Sequence, residues 1–216
     1  MSTISERDMG EPCTSLGNTG CARLLPDRQA RCIAPVSMFQ THTSVPEWTG
    51  LPIVLIGLMG AGKSTVGRRL AARMRLPFVD ADSEIETAAG MSIADIFERF
   101  GEAHFRDGER RVIARLIDGT PKVIATGGGA FINDETRALI LESALAIWLD
   151  ANTAVLADRV GRRDTRPLLR GRDPRAALDE LAKVRNPIYA LAPIRVPSHH
   201  APHESTVNAI LKALDL

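Results

Sequence analysis

The stretch Gly57-Leu58-Met59-Gly60-Ala61-Gly62-Lys63-Ser64-Thr65 carries the most specific chemistry in the chain, because it satisfies the pattern G-x-x-x-x-G-K-[ST]. A short apolar run, Ile53 to Ile56, precedes it and an amphipathic helical pattern, Ser64 to Met74, follows it. That is the setting in which such a loop binds phosphate. The glycines let the backbone curl so that successive N–H groups point at one phosphate, and the start of the following helix adds partial positive charge. Lys63 is placed to reach the β- and γ-phosphates, and Ser64 to set its hydroxyl on Mg²⁺. A nucleoside triphosphate site formed by Gly60, Ala61, Gly62, Lys63, Ser64 and Thr65 follows.

Such a loop names the phosphoryl donor and leaves the acceptor open among GTPase switches, small-molecule and nucleotide kinases, and modules that only bind. An Asn-Lys-x-Asp guanine reader is absent, and lysine stands only at positions 63, 122, 183 and 212, which argues against a GTPase. Phe78-Val79-Asp80-Ala81-Asp82 reads as a strand end with two carboxylates, at period-two spacing, on one side. One would serve Mg²⁺ through water and the other an acceptor hydroxyl; the plainer alternative is a solvated turn and helix N-cap. Arg106, within Phe105-Arg106-Asp107-Gly108-Glu109, is either a ligand-binding arginine or a helix ion-pair partner. Thr126-Gly127-Gly128-Gly129-Ala130 leaves a third strand and permits close backbone approach to a ligand, unless it is only a tight crossover turn. Between Gly161 and Arg175 stand Arg162, Arg163, Arg166, Arg170, Arg172 and Arg175, punctuated by glycine and proline. This pattern predicts a mobile basic lid over residues 161–175 rather than a solvated charge run, because phosphoryl transfer needs positive charge and exclusion of water.

The elements that must position these residues alternate as short apolar runs and longer helical patterns. Strands are expected at Ile53 to Ile56, Lys122 to Ala125, Ala144 to Leu149 and Ile194 to Val196. Helices are expected at Ser64 to Met74, Asp134 to Glu142, Thr153 to Val160 and Glu204 to Leu214. This is the grammar of an α/β fold with a buried parallel sheet and helices on both faces. The helical region 83–117 reads as a subdomain inserted between the second and third strands.

The chain of 216 residues is 44% hydrophobic and 25% charged, with a net charge of +1, which excludes low-complexity and collagenous classes and calls for no nucleic acid or anionic membrane. No apolar run is long enough to span a bilayer. Residues 1–48 mix Gly, Pro, Ser and Thr without sustained periodicity, so the expectation is a poorly ordered extension before a single domain over 49–216, with Met38 as an alternative start. The extension lacks the pattern of a secretory signal or transit peptide, and Cys13, Cys21 and Cys32 form no disulfide framework; a reducing cytoplasm is the expected home.

Taken together the motifs resemble the shikimate kinases. The phosphate loop followed by Val66-Gly67-Arg68-Arg69-Leu70-Ala71, the Asp80-x-Asp82 pair, Ser92-Ile93-Ala94-Asp95-Ile96-Phe97, Gly101-Glu102 before Phe105-Arg106-x-x-Glu109, Gly127-Gly128-Gly129, Arg166-Pro167-Leu168-Leu169 and Arg185-x-Pro187-x-Tyr189 occur in that family's order and spacing. The resemblance spans about residues 50 to 214. It implies a three-layer P-loop kinase fold with an inserted substrate-binding subdomain and a lid. It further implies a monomer that transfers the γ-phosphoryl group of ATP to the 3-hydroxyl of shikimate, a step toward chorismate and the aromatic amino acids. By the same resemblance, Asp82, Arg106, Gly128 and Arg185 would hold shikimate, Ser64 would ligate Mg²⁺, and Asp80 would support it through water. Arg166 would reach the ATP phosphates from the lid, and Arg162 would lie near the adenine. Ser198-His199-His200-Ala201-Pro202-His203 departs from relatives that place an adenine-contacting arginine there. The alternatives are a gluconate-type kinase, which the glycine triplet and the Phe105-Arg106 motif disfavour, and a non-catalytic P-loop module.

Overall fold

A computed structural model describes residues 48–160, 173–198 and 202–216, all within one compact unit spanning 43–216. Expectations that fall on the N-terminal extension, on most of the lid with Arg162 and Arg166, and on residues 199–201 lie outside the described residues. The elements run β1 (Ile53–Ile56), α1 (Lys63–Met74), β2 (Phe78–Asp80), α2 (Ala81–Ala89), α3 (Ile93–Leu116), β3 (Val123–Ala125), a 3-10 turn (Ala130–Ile132), α4 (Asp134–Ser143), β4 (Leu145–Ala151), α5 (Thr153–Val160), α6 (Pro174–Tyr189), β5 (Ile194–Ser198) and α7 (His203–Ala213).

All pairings are parallel, in the order β2-β3-β1-β4-β5. A strand covered on both faces reads as a continuous apolar run, and every residue of β1 and β3 is buried accordingly. At the edge, β5 alternates instead, with Ile194, Val196 and Ser198 inward, and it tolerates Pro197 because an edge strand can spare that N–H. The chain leaves β1 leftward through α1 to β2 and then works back rightward through β3, β4 and β5. Right-handed crossovers therefore put α1 on one face and α4 on the other. Helix α7 packs on α1, and α5 on α6. Because the winding reverses beside β1, a crevice opens at the carboxyl ends of β1 and β3, where open α/β sheets bind ligands. Among the described residues no helix is long and apolar enough to cross a membrane.

The inserted region consists of α2 and α3. The latter is two helical segments joined at Gly101, whose φ of 77° and ψ of 175° break the helical path in a conformation that side-chain-bearing residues rarely adopt. Across that break the rings of Phe97 and Phe105 pack with centroids 4.6 Å apart.

Two expectations need correction, and one helix escapes the sequence pattern. The second strand stops at Asp80, so Asp80 and Asp82 do not share one side of a strand; Asp80 is the N-cap of α2 and accepts the Asp82 N–H at 3.2 Å, while Asp82 sits in the first helical turn. Local capping by a short acidic side chain outcompetes another residue of strand there. Residues 174 and 175 belong to α6 rather than to the lid, and Asp173 is its N-cap, accepting from the N–H groups of Arg175 and Ala176. Helix α6 as a whole is hidden in the sequence pattern by its prolines: Pro174 suits a first turn, while Pro187 lies inside the helix, two residues before its end.

Candidate active site

The loop between β1 and α1 and the glycine triplet after β3 leave adjacent parallel strands at their carboxyl ends, and the fold thereby brings them into contact. A methyl group on Gly128 would lie 3.5 Å from the Gly57 carbonyl oxygen and from the Met59 nitrogen. At the nucleotide end, the buried Lys63 donates from Nζ to the carbonyls of Gly57 at 2.8 Å and Leu58 at 2.9 Å. The ammonium is thus folded back over the mouth of its own loop. From α5, Arg159 donates to the Gly60 carbonyl at 3.3 Å. His203, the first residue of α7, lies against Gly62, its imidazole 3.5 Å from where a methyl group on that glycine would stand. Burial, reinforced by Arg159 and Arg69, holds this imidazole below its ordinary value.

At the other end a cavity of about 470 Å³ is lined by Asp82, Arg106, Glu109, the glycine triplet and Arg185, with Met59 marking its border on the phosphate loop. A second cavity of about 540 Å³ lies between α2 and α3 and shares only Phe105 with it. That one is walled mainly by apolar residues, and its Arg111 and Arg115 are already paired with Asp107 and Glu84. It lacks convergent polar groups of the kind that gather in the first.

This polar cavity is built around one ion pair. Arg106 donates to Glu109 Oε2 at 2.8 Å and to Glu102 Oε1 at 3.0 Å, contacts that i,i+3 and i,i+4 spacing on α3 makes possible. The guanidinium also packs against Gly129: a methyl group there would stand 2.4 Å from Nη1, so a side chain at that position would push the guanidinium out of its place. The Glu109 side chain is only 3% exposed, and among the described residues no hydrogen-bond partner reaches its Oε1. That oxygen and Asp82 Oδ1 both lie 2.9 Å from the point where a side chain on Gly127 would begin. Two acidic groups therefore meet beside Gly127 in a cavity that two arginines also line. Arg185 reaches in from α6, donating from Nη1 to the Gly128 carbonyl at 3.2 Å.

Burial pushes the Glu109 carboxyl up, against the opposing pull of Arg106. The folded chain thus holds this proton more tightly than the unfolded chain. The contribution to stability is full below the ordinary carboxyl value of 4.5 and is lost as pH rises from there through the folded value. Thermal denaturation across this range should show wild type losing stability relative to Glu109→Gln as pH rises. Parallel profiles would mean that Glu109 titrates as an ordinary carboxyl.

The structure brings Asp82, Arg106, Gly128 and Arg185 together on one cavity, which the loop that carries Gly60, Ala61, Gly62, Lys63, Ser64 and Thr65 reaches through Met59. Asp80 stands at the β2–α2 junction, occupied as a helix cap. Sequence reasoning assigns no part in the site to Glu109, Arg159 or Tyr189, although the Arg106–Glu109 spacing is a usable signal for the first.

Comparison with known proteins bears on what this cavity takes. The shikimate kinase family model matches residues 59–215. The shikimate kinase of Caulobacter vibrioides is 60% identical over 162 residues, covering 75% of this chain and 81% of that protein. The shikimate kinase of Zymomonas mobilis is 57% identical over 162 residues, covering 75% and 92%. A solved structure of shikimate kinase from Acinetobacter baumannii in complex with shikimate is 35% identical, with a TM-score of 0.73 over 76% of this chain and 92% of that one.

Proposed function

The chain belongs to the shikimate kinase family, and we propose that its crevice divides one reaction, transfer of the γ-phosphoryl group of ATP to the 3-hydroxyl of shikimate, between a nucleotide end and an acceptor end. The observation that carries this reading is the convergence of Arg106, Arg185 and Asp82 on one cavity that borders the Lys63 loop. Two guanidinium groups suit a carboxylate, which each can grip through paired N–H donors. A carboxylate suits vicinal hydroxyls, and this cavity offers both kinds of group.

The residues then take the following parts. Arg106 and Arg185 hold the shikimate carboxylate, the Gly128 backbone closes over the ring, and Asp82 accepts hydrogen bonds from the ring hydroxyls and aims the 3-hydroxyl at the phosphoryl group. The loop from Gly60 to Thr65 cradles the phosphates, and Lys63 moves from its carbonyl partners to the β- and γ-oxygens as charge develops there. Among the described residues no cluster of three or more His, Cys, Asp or Glu side chains is placed to hold a metal ion. That fits Mg²⁺, which takes one or two protein oxygens and completes its shell with phosphates and water. Ser64 would ligate it and Asp80, freed from or sharing its capping role, would support it through water; when bound, Mg²⁺ neutralises charge on the phosphates. Arg166 and Arg162 keep their proposed parts at the phosphates and the adenine.

A coupled ADP-release assay with ATP, Mg²⁺ and shikimate, gluconate or a nucleoside monophosphate in turn tests the reading. Turnover with shikimate alone is expected; turnover with gluconate and none with shikimate would overturn it. Within the same assay, Asp82→Asn should lose shikimate affinity and rate while ATP affinity persists, since the amide keeps the shape but gives up negative charge and half its acceptor capacity. Equal damage to both substrates would displace Asp82 from the acceptor end.

A further inference from the structure

The motif Arg185-x-Pro187-x-Tyr189 contributes a second residue besides its arginine. Arg185 and Tyr189 stand one helical turn apart, at i and i+4, so α6 presents both on one face. Both donate to the same acceptor: the Gly128 carbonyl oxygen takes the Tyr189 hydroxyl in a short hydrogen bond and Arg185 Nη1 at 3.2 Å. Tyr189 is fully buried, its ring set beside those of Phe131 and Trp148 at centroid distances of 6.5 and 6.1 Å. Nothing in the division of labour above uses that phenol.

We infer that Tyr189 is a positioning residue for the acceptor substrate, holding the Gly128 carbonyl so that Arg185 can turn from it to a carboxylate. The inference rests on the reading of Arg185 as a carboxylate-binding arginine. A peptide carbonyl has two acceptor lobes, and here one goes to the phenol and the other to the guanidinium. With the phenol in place, Arg185 can leave without stranding a half-buried carbonyl, and the glycine triplet stays in register with α6. Without it, the move orphans that oxygen, so Arg185 is held back and the acceptor binds less tightly. Burial pushes the phenol up to about 12, so the donor proton is retained throughout the working pH range. The nucleotide end draws on none of these hydrogen bonds, which gives the effect a direction that general destabilisation would not have.

Tyr189→Phe deletes only the hydroxyl and keeps the ring between its aromatic neighbours. It should raise the shikimate KM on the order of tenfold, leave the ATP KM within about twofold, and retain a cooperative thermal transition. Arg185→Ala measured in parallel should raise the shikimate KM further, and adding Tyr189→Phe to it should cost much less than tenfold, because the arginine whose release the phenol permits is gone. An unchanged shikimate KM in Tyr189→Phe beside a raised one in Arg185→Ala would overturn the inference alone. So would equal rises in both KM values, or full additivity in the double variant. An unchanged shikimate KM in Arg185→Ala would overturn the placement of Arg185, and the inference with it.

Discussion

Lys63→Ala should reduce kcat by on the order of 10²- to 10³-fold or more at saturating ATP and shikimate, the loss seen when one preorganised charge is taken from a developing oxyanion. The reason is differential. In the structure the ammonium is already satisfied by the Gly57 and Leu58 carbonyls, so it stands at the loop mouth ready to exchange those partners for phosphate oxygens. Its interaction strengthens as negative charge accumulates on the bridging and γ-oxygens, which makes the loss fall on kcat more than on ground-state ATP affinity. Calorimetric titration with ADP would separate the two effects: binding should survive within about tenfold while turnover collapses. Turnover near that of wild type would remove the loop from the mechanism. Binding lost in step with turnover would instead make Lys63 a general anchor for the nucleotide.

Arg106→Lys should behave as a severe change although it conserves charge. An ammonium offers a point charge where the guanidinium offers a planar fork, and Arg106 uses that fork already, toward Glu109 on one side and Glu102 on the other. The expected result is a rise in shikimate KM of roughly 10- to 100-fold, with the ATP KM within about twofold, consistent with loss of one charge-assisted bidentate contact. An unchanged shikimate KM would return Arg106 to a purely structural part in the α3 ion pairs. The uncharged Arg106→Met separates the two parts. It strands the buried Glu109 carboxylate, and breaking such a pair costs about 3–5 kcal/mol. Protonation of Glu109 relieves some of that cost, so the variant's loss of stability should grow with pH above the ordinary carboxyl value.

Some of this site is legible in the amino-acid sequence because its physics is local. A loop that cradles phosphate needs glycines, one lysine and one hydroxyl at fixed spacing between a strand and a helix, and all of these lie within a dozen residues of one another. The parallel sheet is legible for a similar reason: strands buried on both faces are apolar throughout, and β1, β3 and β4 each stand out as such runs between turns. The resemblance of the separated motifs to the shikimate kinases then supplies the acceptor, which no single motif encodes.

Other features depend on which groups meet across the chain. The Asp80-x-Asp82 spacing predicts a strand face where the chain forms a cap and a first helical turn, because two-residue periodicity cannot tell whether the backbone continues extended past the first carboxylate. Glu109 reads as one more charge on a helix rich in arginine and glutamate. Its near-total burial comes from the glycine triplet of a different crossover closing over it, and that closure is what unsettles its proton. Arg185 and Gly128 are 57 residues apart in sequence, yet they share a hydrogen bond because the winding of the sheet carries α6 back over the end of β3. Chain-local geometry, helical spacing and apolar patterning are written residue by residue. Burial, and with it the strength of every charge in the acceptor cavity, arises only when distant segments exclude water from one another.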